Sequence, residues 1–65
     1  MSATDIIVRD HGSVVILIGL SDTGQQWLED NLDPDAMRHC GGFVVEPHYV
    51  HAIIDGAVND GLEVA

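Results

Sequence analysis

The chain has 65 residues, with eleven Asp and Glu against two Arg and no Lys. The formal net charge of −9 argues against direct binding of nucleic acid or of an anionic membrane, and it favours a partner with a basic surface. So short a chain is expected to form a single domain, 1-65, and to bury only roughly 60% of the surface that its unfolded form exposes.

The first elements form a β-hairpin. Two strand-like runs, Asp5 to Arg9 and Ser13 to Gly19, flank a turn in which His11 and Gly12 are the predicted loop residues, with Gly12 at positive φ. The second run is apolar on both faces, which is typical of a central strand.

A helix is predicted next, with Ser21 as its N-cap and an end near Leu32, where Pro34 follows. Gly24 lies on the predicted inner arc, where it would allow the helix to approach the sheet closely. At 100° per residue that arc also carries the apolar residues Leu20, Trp27, Leu28 and Leu32.

A polar connection from Asp33 to Gly42 leads to a third strand, Gly42 to Glu46, and Pro47 then takes the first position of a second helix. That helix has an apolar stripe made of Tyr49, Val50, Ile53, Ile54, Ala57 and Val58. Asp60 and Gly61 are typical of a helix C-cap, and the residues from Leu62 to Val64 are a candidate for a short last strand.

The element order β-β-α-β-α, with a candidate terminal β, predicts an α+β fold. We expect a small mixed sheet of three to four strands with two helices on one face. The other face would carry either Val15 and Leu17, or Val14, Ile16 and Ile18. An apolar face left open in this way predicts a homodimer or a partner protein.

The acidic residues are the strongest functional signal. On the first helix Asp22, Glu29 and Asp33 fall on the arc opposite to the apolar one, with Asp30 beside them. A row of carboxylates on one helix approximates the charge spacing of a phosphate backbone, although a solvated helix face is the ordinary alternative. Further carboxylates that could extend the predicted partner-binding surface are Asp35, Asp55, Asp60 and Glu63.

The aromatic and basic residues are expected to have structural roles. Trp27 and Tyr49 are expected to anchor the core, although Trp27 lies at the edge of its arc and would serve as an interface residue if only partly covered. Arg9 and Arg38 are expected to pair locally with carboxylates.

No metal or catalytic site is predicted. His48 and His51, with a lone cysteine at Cys40, do not meet the ligand patterns of zinc sites, and no pocket for a Cys-His nucleophile is recognisable. The single cysteine excludes an internal disulfide and fits a reducing cytoplasm. The longest apolar run, Val14 to Ile18, is too short to span a bilayer, and no signal peptide is recognisable. We therefore expect a cytoplasmic protein without a cofactor or enzymatic turnover.

Several segments together resemble small acidic proteins carried by phages and other mobile elements of proteobacteria. They are Ile6-Ile7-Val8 with Asp10-His11-Gly12-Ser13, Trp27-Leu28, Val45-Glu46-Pro47-His48-Tyr49-Val50 and Asp60-Gly61-Leu62-Glu63. The chain is similar to anti-CRISPR proteins that act against type I systems. These segments are mostly structural, and the resemblance brings no residue-level site with it.

The resemblance implies a DNA-mimicking inhibitor whose carboxylates occupy a lysine- or arginine-lined surface of a Cas subunit in a type I effector complex. Two other functions stay open. One is an adaptor or structural interaction protein of a mobile element that binds through an apolar sheet face, and the other is an antitoxin-like inhibitor of a basic nuclease.

Overall fold

Four strands and two helices make up the computed structural model, which describes residues 3–33, 35, 37–39 and 41–65. The fold is α+β, as predicted. The expectation that Pro34 ends the first helix, and the interpretations of Cys40, lie outside the described residues. In chain order the elements are β1 (Ile6–Asp10), β2 (Val15–Gly19), α1 (Asp22–Asn31), β3 (Arg38–His39), β4 (Gly42–Val45) and α2 (Pro47–Asn59).

The β1–β2 hairpin forms with its loop one residue later than predicted. The His11 N–H donates to the Val14 carbonyl at 2.9 Å, so the two residues between them, Gly12 and Ser13, make the turn. Gly12 has a φ of 85°, which agrees with its predicted role. The carboxylate of Asp10 accepts a hydrogen bond from the Gly12 N–H at 2.8 Å.

The sheet has the strand order β1-β2-β4-β3, and all three strand pairs are antiparallel. β2 is therefore a central strand, as its continuous apolar run predicts. The C-terminal segment adds a parallel bridge between Val64 and Ile6, so the arrangement is mixed at that edge. β3 was not predicted, because it consists of only two polar residues, Arg38 and His39, and two residues are too few to show a strand pattern.

The register decides which face of the sheet is covered. Val15 and Leu17 pair with Val45 and Phe43 and belong to the buried core. The helices cover this face, since the same core cluster includes residues of both helices, Leu28, Val50 and Ala57. The alternate residues of β2, Ile16 and Ile18, therefore point to the outer face, which decides between the two sets that the sequence left open.

Helix α1 is held at its start by a cap and by a close backbone contact. The Ser21 hydroxyl accepts a hydrogen bond from the Gly24 N–H at 2.9 Å, which confirms Ser21 as the N-cap. Gly24 and Leu28 are the buried residues of the helix. The prediction for Leu20 was wrong, because it precedes the helix and is 55% exposed.

Helix α2 begins with Pro47, as predicted, and its predicted C-cap at Asp60 and Gly61 takes the form of a Schellman motif. The N–H of Leu62 donates to the Ala57 carbonyl and that of Gly61 donates to the Val58 carbonyl, both at 3.0 Å. Leu62 is buried and belongs to the core cluster, and an apolar contact of this kind commonly accompanies a Schellman motif. The apolar stripe was only partly right, since Tyr49 and Val58 are both more than half exposed.

Replacing Gly24 by alanine tests the close approach of α1. An added Cβ would lie closer than 3.0 Å to the backbone carbonyl of Asp5, a contact that real Cβ atoms essentially never make. We expect Gly24→Ala to lower the free energy of unfolding by about 2 kcal/mol or more, because overpacking here outweighs a helix-propensity gain of about 1 kcal/mol. Urea unfolding followed by Trp27 fluorescence measures the change.

Gly56→Ala is the matched control, because Gly56 is also a helical glycine. Its added Cβ would lie 3.4 Å from the Trp27 ring, which is an ordinary van der Waals contact. This variant should be unchanged or more stable by roughly 0.5–1 kcal/mol. Equal effects of the two substitutions would contradict the close approach at Gly24.

Candidate functional site

Nearly all the negative charge of the protein is on its surface. Ten of the eleven carboxylate residues are exposed, and only Asp5 is half-buried. The exposed ones include every carboxylate predicted for the partner-binding surface. The charge is therefore available to a partner from solvent.

The outer surface of α1 carries the densest row of these carboxylates. Asp22, Glu29 and Asp30 are exposed on the helix, and Asp33 is exposed just after its C-cap, Leu32. We call these four residues the acidic face. The buried residues Gly24 and Leu28 lie on the opposite side. The predicted division of α1 into an apolar and an acidic arc is therefore confirmed for the positions around Gly24 and Leu28.

Side-chain amides on α1 hold two carboxylates of the acidic face. Gln25 donates a hydrogen bond to Glu29 at 3.2 Å, and Gln26 donates one to Asp30 at 2.9 Å. Both pairs are spaced i, i+4, which places the side chains next to each other on a helix. Sequence reasoning missed these glutamines, although their spacing from the acidic residues was the available signal.

A second acidic surface surrounds Trp27. The indole Nε1–H donates to a carboxylate oxygen of Asp60 at 2.6 Å, which connects α1 to the C-cap of α2. Trp27 is half-buried and packs against the core cluster, so it contributes to the core, as predicted, while part of its side chain stays accessible. The indole forms one wall of an open groove lined by Asp22, Thr23, Gln26, Trp27, Asp30, Asp60 and Leu62.

The structure thus brings together Asp22, Trp27, Asp30 and Asp60, four of the eight residues predicted for partner binding. The remaining four do not line this groove. Glu29 and Asp33 belong to the acidic face, as described above. Asp35 is exposed in a turn, where its N–H donates to Asp33 at 2.9 Å, and Asp55 is exposed on α2.

Basic side chains do not neutralise this surface within the described part of the chain. The expected pairing of Arg38 with a carboxylate was wrong, because its guanidinium lies 4.5 Å from the centroid of the Phe43 ring. Within the described ranges the one ion pair joins His48 to Glu46 at 3.7 Å, and it requires a protonated histidine. Arg9, too, therefore lacks the expected ion pair with a described carboxylate.

Asp5 fixes the position of α1 relative to the sheet. Its carboxylate accepts hydrogen bonds from the Ser21 hydroxyl at 2.6 Å and from the Glu63 N–H at 3.0 Å. Those bonds hold the pKa of the Asp5 carboxyl below its ordinary value of 3.8, against a smaller opposing effect of burial. Sequence reasoning missed this role, because Glu63 lies at the far end of the chain.

The surface offers carboxylate oxygens and an indole ring, which are groups that bind cationic side chains. Among residues 3–33, 35, 37–39 and 41–65, no cluster of three or more His, Cys, Asp or Glu could hold a metal ion. Neither described helix has the length and apolar character needed to cross a membrane.

The fold and the surface define a small α+β protein with an uncompensated acidic face beside a partly exposed tryptophan. Comparison of the chain with protein-family models, with curated proteins and with solved structures found no match.

The pH dependence of stability tests the role of Asp5. Because the pKa of Asp5 is lowered on folding, its carboxylate stabilises the fold above the unfolded-state pKa, and this effect is lost as pH falls through the folded-state pKa. Asp5→Asn should therefore be less stable than the wild type at pH 7, and the difference should close below pH 3.8. Urea unfolding from pH 7 to pH 2 measures both proteins.

Asp55→Asn is the control, since it removes an exposed carboxylate from α2. It should follow the wild type over the whole pH range. A difference between wild type and Asp5→Asn that stays constant with pH would show that the ionised form of Asp5 does not stabilise the fold.

Proposed function

We propose that this protein acts in the bacterial cytoplasm as an acidic inhibitor of a basic, nucleic-acid-binding protein. It binds the surface that this partner uses for nucleic acid and so excludes the nucleic acid. The observation that carries the proposal is the acidic face, which is exposed along α1 without an arginine paired to it. Uncompensated charge of one sign destabilises a small domain by self-repulsion, so its retention favours a role in recognition.

The number of charges on the acidic face supports mimicry of a phosphate backbone. Helix α1 has ten residues and extends roughly 14 Å. Over that length one strand of DNA presents about four phosphates, at one per 3.4 Å. Over the same length the helix carries three carboxylates, and a fourth, Asp33, follows directly after its C-cap, so the charge density is comparable.

The acidic face is also preorganised. The helix start is fixed by Ser21 and Asp5, and two of the four carboxylates accept hydrogen bonds from Gln25 and Gln26. A partner then loses less free energy in ordering these side chains on binding. Long-range attraction between the −9 charge and a basic surface would make association fast and dependent on salt.

A type I CRISPR effector complex is the target that we propose, on the basis of the resemblance to anti-CRISPR proteins. Such a complex must hold target DNA on a basic surface, and an acidic protein seated there would compete with the duplex. Inhibition requires binding alone, so the proposal assigns no enzymatic turnover to the protein.

The outer face of the sheet favours the adaptor function as a second candidate. By register it carries Ile7, Ile18 and Val44, which are half-buried, and Ile16, which is itself only 6% exposed. Met37 hydrogen-bonds through its carbonyl to Val44 and is 71% exposed. An adaptor that binds through this face would keep its partner at high salt, whereas a DNA mimic would release it.

Neutralising the acidic face tests the proposed inhibition. The triple variant Asp22→Asn, Glu29→Gln and Asp30→Asn reduces the net negative charge from −9 to −6 and conserves side-chain size. We expect at least a roughly tenfold loss of competition with target duplex DNA for a purified type I effector complex, because the charges facing the basic surface are removed. Gel-shift titrations at low and at high salt measure the competition.

The control variant has the same charge but leaves α1 intact. Asp10→Asn, Asp55→Asn and Glu63→Gln together also change the formal charge from −9 to −6, at exposed positions outside the acidic face. Because Asp55 and Glu63 were predicted to extend the partner-binding surface, the same variant tests whether that extension takes part in binding. This variant should compete nearly as well as the wild type. Equal losses in the two variants would mean that net charge acts alone, and failure of the wild type to displace DNA would overturn the proposal.

A further inference from the structure

We infer that a groove between α1 and α2 binds a segment of the partner protein that combines apolar side chains with arginine or lysine. This interhelical groove is lined by Trp27, Leu32, Val45, Tyr49, Ala52 and Ile53. The inference rests on the proposed function in taking the partner to be basic. It adds an apolar contact that mimicry of phosphate charge does not require.

Two adjoining concave surfaces make up the interhelical groove. The narrow part is lined by Trp27 and Gly56, among other residues, and has a volume of about 220 Å³. The wide part extends to Tyr49 and has a volume of about 390 Å³, within the roughly 300–1,000 Å³ usual for binding sites. Leu32 and Ile53 line both parts, so the groove is continuous along the two helices.

Small residues on α2 keep the groove open. Ala52 is exposed and lines both parts, so any larger side chain there would project into the space. Gly56 lies against the indole of Trp27, where an added Cβ would approach the ring to 3.4 Å. The floor of the groove is apolar, since Leu32, Val45 and Ile53 all pack against the core cluster.

Aromatic side chains stand at the two ends of the groove. Tyr49 is 56% exposed although it is a large residue, and Trp27 is half-buried. Tryptophan and tyrosine supply much of the binding energy in protein interfaces, because each offers a large rigid apolar surface with one polar atom. Tyr49, which the sequence placed in the core, instead lines this groove, with its ring centroid 4.2 Å from that of His48.

Carboxylates flank the apolar floor. Asp33 and Glu46 line the wide part, and Asp60 is hydrogen-bonded to Trp27 beside the narrow part. The described lining residues include no arginine, lysine or histidine, and the basic neighbour among the described residues is His48, 3.7 Å from Glu46. A segment with apolar residues in its middle and cations on either side complements this pattern, whereas an acidic segment would place like charges together.

Peptide binding followed by the fluorescence of Trp27, the only tryptophan of the chain, tests the inference. The probe is a short helical peptide that has two leucines one turn apart, three arginines and no aromatic residue. A second peptide replaces both leucines by serine at the same charge. We expect the leucine peptide to change the Trp27 emission and to bind at least tenfold more tightly than the serine peptide. Equal affinities would overturn the inference.

Two matched variants test whether the leucine peptide binds in the interhelical groove. Ala52→Phe fills the groove, whereas His51→Phe adds the same ring at the neighbouring exposed position of α2. Ala52→Phe should weaken binding of the leucine peptide at least tenfold, and His51→Phe should leave it unchanged. Amide chemical shifts of the wild type provide a second readout, independent of any substitution. Changes centred on Tyr49, Ala52 and Ile53 would support the groove, and changes confined to other surfaces would refute it.

The outcome separates this inference from the proposed function. Peptide binding in the groove requires no effector complex, and competition with DNA requires no leucine contact. If the wild type displaces DNA but does not discriminate between the two peptides, the acidic face alone accounts for binding. If it prefers the leucine peptide but does not displace DNA, the groove serves a basic partner of another kind.

Discussion

The hydrogen bonds of Asp5 join three parts of the chain that are distant in sequence. Its carbonyl accepts from the Leu20 N–H at 2.8 Å, and its carboxylate accepts from Ser21 and Glu63. Gly24 allows α1 to lie directly against this same carbonyl. The start of α1, the beginning of β1 and the C-terminal segment are thereby held together. Because α1 is fixed at this point, Leu28 enters the core and the acidic face is directed to solvent.

The hydrophobic core has to hold the protein together against its own charge. The buried residues come from both helices, three strands and the C-terminal segment, with Leu17 and Leu28 completely buried. The exposed carboxylates repel one another, and neither arginine offsets them by an ion pair with a described residue. Hydrogen bonds from Gln25 and Gln26 order carboxylates without neutralising them. Such an arrangement keeps a strong negative electrostatic potential around the protein, and the repulsion lowers the stability of the fold.

Local signals in the sequence were sufficient to predict where the helices begin and end, but not which residues of other elements contact them. The cap at Ser21, the first position of α2 at Pro47 and the Schellman turn at Gly61 all follow from neighbouring residues, and each is present. Helical periodicity shows which side of a helix is apolar, but it cannot show how far a neighbouring element extends over that side. For this reason Tyr49 was wrongly assigned to the core. The contact between Trp27 and Asp60 was equally hidden, since it depends on how α1 and α2 lie together.

Trp27 connects the two surfaces on which the proposals depend. Trp27 lines the acidic groove with Asp22 and Asp30, and it also lines the narrow part of the interhelical groove beside Gly56. A basic partner that reaches the acidic face is therefore brought close to an apolar site. Electrostatic attraction acts over about 10 Å at 0.1 M salt, whereas apolar contact requires direct packing. The charge would accordingly govern the rate of association, and the groove beside Trp27 would govern how long the complex lasts.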